Sequence, residues 1–145
     1  MSDTCWLHIR FPRADLPRFQ EVLKDQMWKG QFWDEEEGDD GEVNATIYEA
    51  NYGWYEEIHA LAEAGLTFTV SHGAGGEYGP CLYACYQGDL VVCSADWDGS
   101  PIVSVARDGV NEKQLKNCMK YHRLVEKMEA EIQKESEGRV LRKTG

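Results

Sequence analysis

Two clean alternations of apolar and polar residues, two short stretches with helical apolar spacing and one long amphipathic run at the end predict an α+β domain. Its expected form is an antiparallel β-sheet with helices packed mainly on one face, followed by a long C-terminal helix. The strands read as short and the segments between them leave few residues for crossovers, so antiparallel pairing is the economical packing. With 145 residues and 42% hydrophobic content, the chain can bury a core without staples. Residues 1–135 read as a single domain and 136–145 as a basic tail that frays.

Each element has its own signal. From Cys5 to Phe11, residues Cys5, Leu7, Ile9 and Phe11 share one face while Trp6, His8 and Arg10 share the other, a half-buried strand. Asp15 stands at a helix N-cap position and Pro17 is tolerated in the first turn. Leu16, Phe19, Leu23 and Met27 follow at helical spacing, and Gly30 is a natural stop. Val43, Ala45 and Ile47 alternate in a second strand over Glu42 to Ala50. Gly53 and Trp54 introduce a short helix from Tyr55 to Ala64, closed by Gly65. Leu66, Phe68 and Val70 mark a third strand of high β-propensity. A glycine-rich loop, Gly73 to Gly79, leads to strands Cys81 to Tyr86 and Leu90 to Ala95 around a hairpin turn at Gln87-Gly88-Asp89. Asp98-Gly99 turns the chain before a short strand, Ile102 to Ala106. Asn111 and Gln114 form a capping box for the last helix. Its expected inner stripe is Leu115, Met119, His122, Val125 and Ile132, flanked by Cys118 and Met128.

Charge is the most specific feature. Between Gly30 and Ala106 there is no lysine or arginine, yet the same stretch holds fifteen aspartates and glutamates. The net charge of −11 divides into −14 for residues 1–100 (19 acids, 5 bases) and +3 for residues 101–145 (7 acids, 10 bases). A surface of one sign repels nucleic acid and attracts basic proteins. The N-terminus has no basic region followed by an apolar run, and no window has the roughly 18 apolar residues of a membrane span. Five cysteines, an odd number, read as reduced thiols in a bacterial cytoplasm.

The segment Asn51-Tyr52-Gly53-Trp54, the helix after it, then Leu66-Thr67-Phe68-Thr69-Val70 and Gly76-Glu77-Tyr78-Gly79 resemble the YubB-type ferredoxin-like proteins of plasmids and phages. In that family a tryptophan-bearing turn leads into a helix, and the next strand ends in a glycine-aromatic segment before a hairpin. The resemblance covers the central part of the chain. Extra glycines at Gly73 and Gly75 displace its second element. It implies a ferredoxin-like variant and a mobile-element setting, and it brings no catalytic residues with it.

Several constellations bear on chemistry. Asp34, Glu35, Glu36, Glu37, Asp39, Asp40 and Glu42 form a dense acidic run that Glu49, Glu56, Glu57 and Glu63 extend; a carboxylate array of this kind can stand in for phosphates, or simply solvate a loop. Trp33 beside Asp34 offers an aromatic anchor next to a charge guide, among other aromatics (Trp28, Phe32, Tyr48, Tyr52, Trp54, Tyr55, Tyr78, Trp97) that also serve as core. Cys81, Cys85, Cys118 and His122 do not space as a zinc site, since residues four apart on a strand lie about 13 Å apart. A Cys–His nucleophile has no local signature and sits in a negative field that disfavours thiolate. The glycine loop lacks a lysine and joins strands, unlike a phosphate cradle.

The expected function is therefore non-enzymatic, with no metal or cofactor: an acidic nucleic-acid mimic of the anti-CRISPR or anti-restriction type, inhibiting a basic DNA- or RNA-binding protein or effector complex. Trp33, Asp34 to Glu37, Asp39, Asp40, Glu42, Glu49, Glu56 and Glu57 are its partner-binding residues. Direct nucleic-acid and membrane binding are not expected, and the chain acts as a monomer or homodimer. The alternative is a small accessory domain with a ligand near the glycine loop and the sheet around Tyr83, Cys85 and Tyr86.

Overall fold

The computed structural model describes residues 4–23, 41–51, 55–74 and 79–144. Five strands, β1 (Thr4–Pro12), β2 (Glu42–Asn51), β3 (Phe68–His72), β4 (Cys81–Tyr86) and β5 (Asp89–Ser94), form one sheet in the order β2-β1-β3-β4-β5. Every neighbouring pair is antiparallel. Helices α1 (Leu16–Val22) and α2 (Tyr55–Glu63) pack against it, with a single 3₁₀ turn (Arg13–Asp15) before α1. A separate two-residue ladder, β6 (Val105–Ala106) with β7 (Gly109–Val110), precedes the long α3 (Glu112–Thr144). Strands β2 and β3 flank β1 and are both antiparallel to it. They therefore run parallel to one another, joined by α2.

The alternations place the core as expected. Leu7, Ile9 and Phe11 from β1, Val43, Ala45 and Ile47 from β2, Phe68 and Val70 from β3 and Tyr83 and Cys85 from β4 all point to one face. There they meet Phe19 and Leu23 at α1 and Ile58 and Leu61 of α2. Phe19 stacks on Phe11 (centroids 3.9 Å apart) and meets Phe68 edge-on (6.0 Å), so one ring ties α1 to two strands.

The long helix lies on the opposite face. Leu82 and Ala84 of β4, with Val91, Cys93 and Ala95, pack against Cys118 and Leu124 of α3. The inner stripe differs from the sequence expectation: Cys118, Leu124, Met128 and Ile132 are buried, Tyr121 and Val125 half-buried, and Leu115, Met119 and His122 exposed. The helix is turned by about one residue, roughly 100°. Apolar residues cover more than half its circumference, so periodicity alone does not select the face; contact with small Ala84 and Ala95 does. The helical backbone continues to Thr144, through the segment read as a fraying tail.

Local signals were met unevenly. Asn111 caps α3 by accepting from the Gln114 N–H (3.1 Å), but the Gln114 side chain accepts from the Ser104 N–H (2.6 Å) instead of closing the box. Asp15 occupies the N-cap position of α1 in an α-helical conformation and makes no side-chain cap bond, because the 3₁₀ turn already leads the backbone into the helix. The third strand starts at Phe68, with Leu66 buried beside it, and of the expected strand Ile102 to Ala106 only Val105–Ala106 is strand, paired with Gly109–Val110. Met27, Gly30 and residues 34–40 lie outside the described residues.

The β4–β5 hairpin has a two-residue loop, Gln87 (φ 50°) and Gly88 (φ 90°), the left-handed pair of a type I′ turn. It is also a packing point: Gln87 N–H donates to Thr67 Oγ1 (3.0 Å) and Gly88 N–H to the Leu66 carbonyl (3.2 Å). A Cβ on Gly88 would stand 3.0 Å from the Ala62 carbonyl oxygen and 3.3 Å from Gly65 Cα. Gly88→Ala is therefore expected to cost about 1–2 kcal/mol, and Gln87→Asn to stabilise by a few tenths. Urea unfolding of both variants checks the pair; an unchanged midpoint for Gly88→Ala would contradict the described turn.

Candidate functional site: a tryptophan-rimmed cleft beside a polar sheet face

Because α3 covers β4 and β5, the β2-β1-β3 part of that face keeps polar side chains. Arg10 Nε donates to Glu42 Oε2 at 2.6 Å, and its Nη1 lies 3.6 Å from Glu129 on α3. Asn44 Nδ2 donates to Glu42 Oε1 (3.1 Å), and Arg13 Nη2 to the Glu42 carbonyl (3.2 Å). His8 Nε2 lies 3.4 Å from Asn44 Oδ1 and His8 Nδ1 3.3 Å from Thr46 Oγ1, which fits an Nε2–H tautomer accepting from the threonine hydroxyl. Glu42 thus sits inside this network with 8% of its surface exposed. Its carboxylate holds Arg10 and Asn44, so this expected partner-binding residue is bound to the fold.

The others separate into groups. Trp33, Asp34, Glu35, Glu36, Glu37, Asp39 and Asp40 lie outside the described residues, and Glu49 is placed only as backbone in β2. Glu56 and Glu63 are exposed and Glu57 is half-exposed on α2, with Tyr55 exposed beside them and its ring 4.3 Å from that of His59. Asp89 pairs with Lys120 at 2.6 Å, whereas Asp98, in the turn after β5, is exposed. The described part of the Gly30–Ala106 stretch therefore presents its carboxylates on α2 and on the β5–β6 loop.

At the end of the sheet where β1 begins and β3 and β5 end, two tryptophans flank a cleft of about 110 Å³. Trp6 is on the polar side of β1, beside an irregularity of pairing: Cys5 faces Ala50 but Leu7 faces Ile47, so β2 has one extra residue there. Its carbonyl accepts from the Gly73 N–H (3.1 Å), and its ring lies against Gly73 so closely that a Cβ there would stand 2.5 Å from Trp6 Nε1. Ser71 and His72 line the floor, and His72 Nδ1 is 2.8 Å from the Gly73 carbonyl. Across the cleft, Asp96 Oδ1 accepts from the N–H groups of Asp98 (3.0 Å) and Ser100 (2.8 Å), a turn that leaves Trp97 86% exposed. Trp6 is 51% exposed. No lysine or arginine is among the described residues that line this cleft. The glycine loop begins at it, but Tyr83 and Cys85, proposed with that loop as a ligand face, are in the core, and Tyr86 turns the other way to donate to Glu131 (2.7 Å).

Cys85, Cys93 and Cys118 are buried packing groups. Burial raises Cys85 from 9.0 to about 11, and the Cys85 Sγ donates to the Leu66 carbonyl (3.3 Å). Burial, reinforced by Cys118, raises Cys93 to about 12. Among the described residues no three His, Cys, Asp or Glu side chains are arranged to hold a metal ion, and no helix is long and apolar enough to cross a membrane.

Trp6, Asp96 and Trp97 were not assembled from the sequence. The available signal was a tryptophan on the polar side of an alternating strand, a large apolar residue where solvation would suffice. The chain matches no known protein-family model, and neither a curated protein nor a solved structure matches it.

Two outcomes follow from these contacts. Glu42→Gln is expected to destabilise by about 1–3 kcal/mol, because Arg10 loses its charged acceptor in a half-buried setting. Chemical denaturation of Glu42→Gln, Arg10→Met and the double variant measures the coupling; additive effects would deny the pair a role. The second concerns alkali. The folded Cys85 thiol stays protonated until about pH 11, whereas an unfolded thiol ionises from about 9. Across that window the unfolded chain binds fewer protons, so stability falls as pH rises. Cys85→Ala is expected to show a shallower decline than the parent between pH 9 and 11 in melting temperature; parallel curves would refute the assignment.

Proposed function

We propose that the protein is a non-enzymatic, acidic interaction protein that occupies the nucleic-acid-binding surface of a basic partner and blocks it. The observation that carries this reading is the Gly30–Ala106 stretch, with fifteen carboxylates and no lysine or arginine. Nucleic acid carries about one charge per 1.7 Å of duplex axis, and its binders meet it with clustered lysine and arginine. Carboxylates on a folded surface offer the same sign to the same cluster. Glu56 and Glu63, on the solvent side of α2, support the reading because the helix that carries them is anchored in the core by Ile58 and Leu61. Fixed charges of this kind guide encounter, and exposed aromatics such as Tyr55 supply contact area. Its setting would be a bacterial cytoplasm, as an accessory gene product of a phage or plasmid, with anti-CRISPR or anti-restriction inhibitors as the functional class.

The ligand-binding alternative has one observation in its favour, the cleft beside Gly73. At about 110 Å³ it is well below the roughly 300 Å³ and more of sites for whole small molecules.

Glu42 is excluded from the charge test, since its change disturbs the fold. With Glu35, Glu36, Asp39 and Asp40 converted to lysine, retention of a nucleic-acid-binding protein from a bacterial lysate should be abolished. Retention by the parent chain should fall steeply with salt and be displaced by duplex DNA or RNA. Equal retention by both chains, or indifference to salt and nucleic acid, would overturn the proposal.

A further inference from the structure

We infer that the Trp6–Trp97 cleft is a cation clamp that takes the guanidinium of an arginine side chain from a partner protein. This deepens the interaction reading above and rests on it. Size selects the class of occupant first. A cleft of about 110 Å³ equals the liquid volume of roughly four waters, which suits one side-chain head group and not a nucleotide or cofactor.

Chemistry then selects the charge. Two exposed indoles border the space, Asp96 supplies a carboxylate, and no lysine or arginine is among its described lining residues; the histidine on its floor, His72, has its Nδ1 2.8 Å from the Gly73 carbonyl. An anion would meet no permanent cation among them. A planar guanidinium can stack on an indole face and donate to a carboxylate at once, whereas a lysine ammonium is a strongly hydrated point charge with no plane to stack. Asp96 is already fixed in place: its Oδ1 holds the turn through the Asp98 and Ser100 N–H groups, and the residue lines the cleft. Trp6 is fixed as well, by its backbone bond to Gly73 and by the missing Cβ that lets its ring lie against that residue. Two of the three groups are therefore organised before an arginine arrives, which lowers the ordering cost of binding. It also explains exposed tryptophans at positions where the fold needs none.

The experiment titrates ¹⁵N-labelled protein with N-acetyl-arginine methylamide and, in parallel, with the citrulline analogue, which has nearly the same shape and no charge. Saturable shifts of the Trp6 and Trp97 indole N–H signals are expected in the millimolar range with the arginine probe, and about fivefold or more weaker binding with citrulline. Asp96→Asn keeps an Oδ1 acceptor for the turn and removes only the charge; it should weaken the arginine probe to the level of citrulline. Trp97→Ala should abolish the difference between probes and Trp97→Phe retain most of it. Gly73→Ala should displace the Trp6 ring and weaken the probe while leaving Trp97 exposed. Equal binding of both probes, undiminished binding in Asp96→Asn, or no saturable shift would overturn the clamp. The lysine reversal at residues 35, 36, 39 and 40 should leave this titration unchanged. If partner retention is lost in that reversal while the arginine probe never binds, the clamp fails and the mimic stands. If the probe binds as described but retention ignores the reversal, the mimic fails and the clamp remains as a site for arginine.

Discussion

Burial of β4 on both faces is the constraint on which the rest of this structure depends. Tyr83 and Cys85 enter the core shared with α1 and α2, while Leu82 and Ala84, one residue out of phase, enter the layer beneath α3. A strand with apolar residues at every position has no solvent face to offer, so it requires cover from both sides. Two short helices serve one side. The other is served by a single long helix that crosses β4 and β5 and leaves the rest of that face open. The polar network of His8, Arg10, Glu42, Asn44 and Thr46 fills the open half, and the tryptophan cleft lies at its end. Both features are consequences of a helix that covers about half a face.

That division also explains where charge is spent and where it is free. Arg10 lies on the uncovered half with its aliphatic stem against the sheet and needs an acceptor; Glu42 supplies it from the neighbouring strand and Glu129 from α3. A half-buried pair of this kind contributes more through the penalty of breaking it than through its formation. The carboxylates that remain outward, Glu56 and Glu63 on α2 and Asp98 after β5, have no such internal duty. Linear charge density is thus a poor guide to surface field until the internally paired members are subtracted.

The sheet was legible because period-two alternation depends only on which face is buried, and Leu7, Ile9 and Phe11, Val43, Ala45 and Ile47, and Phe68 and Val70 are all buried on that face. The hairpin at Gln87-Gly88 was legible for the same local reason. The face of α3 was not. Leu115, Met119 and Val125 are as apolar as Cys118, Leu124 and Met128, and the choice between the stripes is made by β4 and β5, far away in sequence. Gln114 was half legible: its partner was to be Asn111, but the chain folded Ser104 within reach and the side chain took that N–H instead. The role of Glu42 required the register of β1 on β2, which places Arg10 diagonally across from it and opposite Asn44. Acidic composition carries no information about such pairing.

The cleft was the least legible feature, and the reason bears on what it is for. Trp6, His72 and Asp96 come from three separated segments, and none belongs to a spacing that chemistry would recognise in one dimension. Each is held by a bond of its own: Trp6 across to the Gly73 N–H, His72 to the neighbouring Gly73 carbonyl, Asp96 within its turn. A cluster that arose only from core packing would bury its aromatic rings, since an indole left in water forgoes the largest apolar stabilisation any side chain has. Here the fold fixes the groups and leaves the rings out. Trp97 could be replaced by a polar turn residue at no cost to any described core contact, because it belongs to none of the core clusters. Retaining an indole there is physically intelligible when its face meets something that arrives from outside. The carboxylate beside it, with no lysine or arginine among the described lining residues, favours a cation as that visitor.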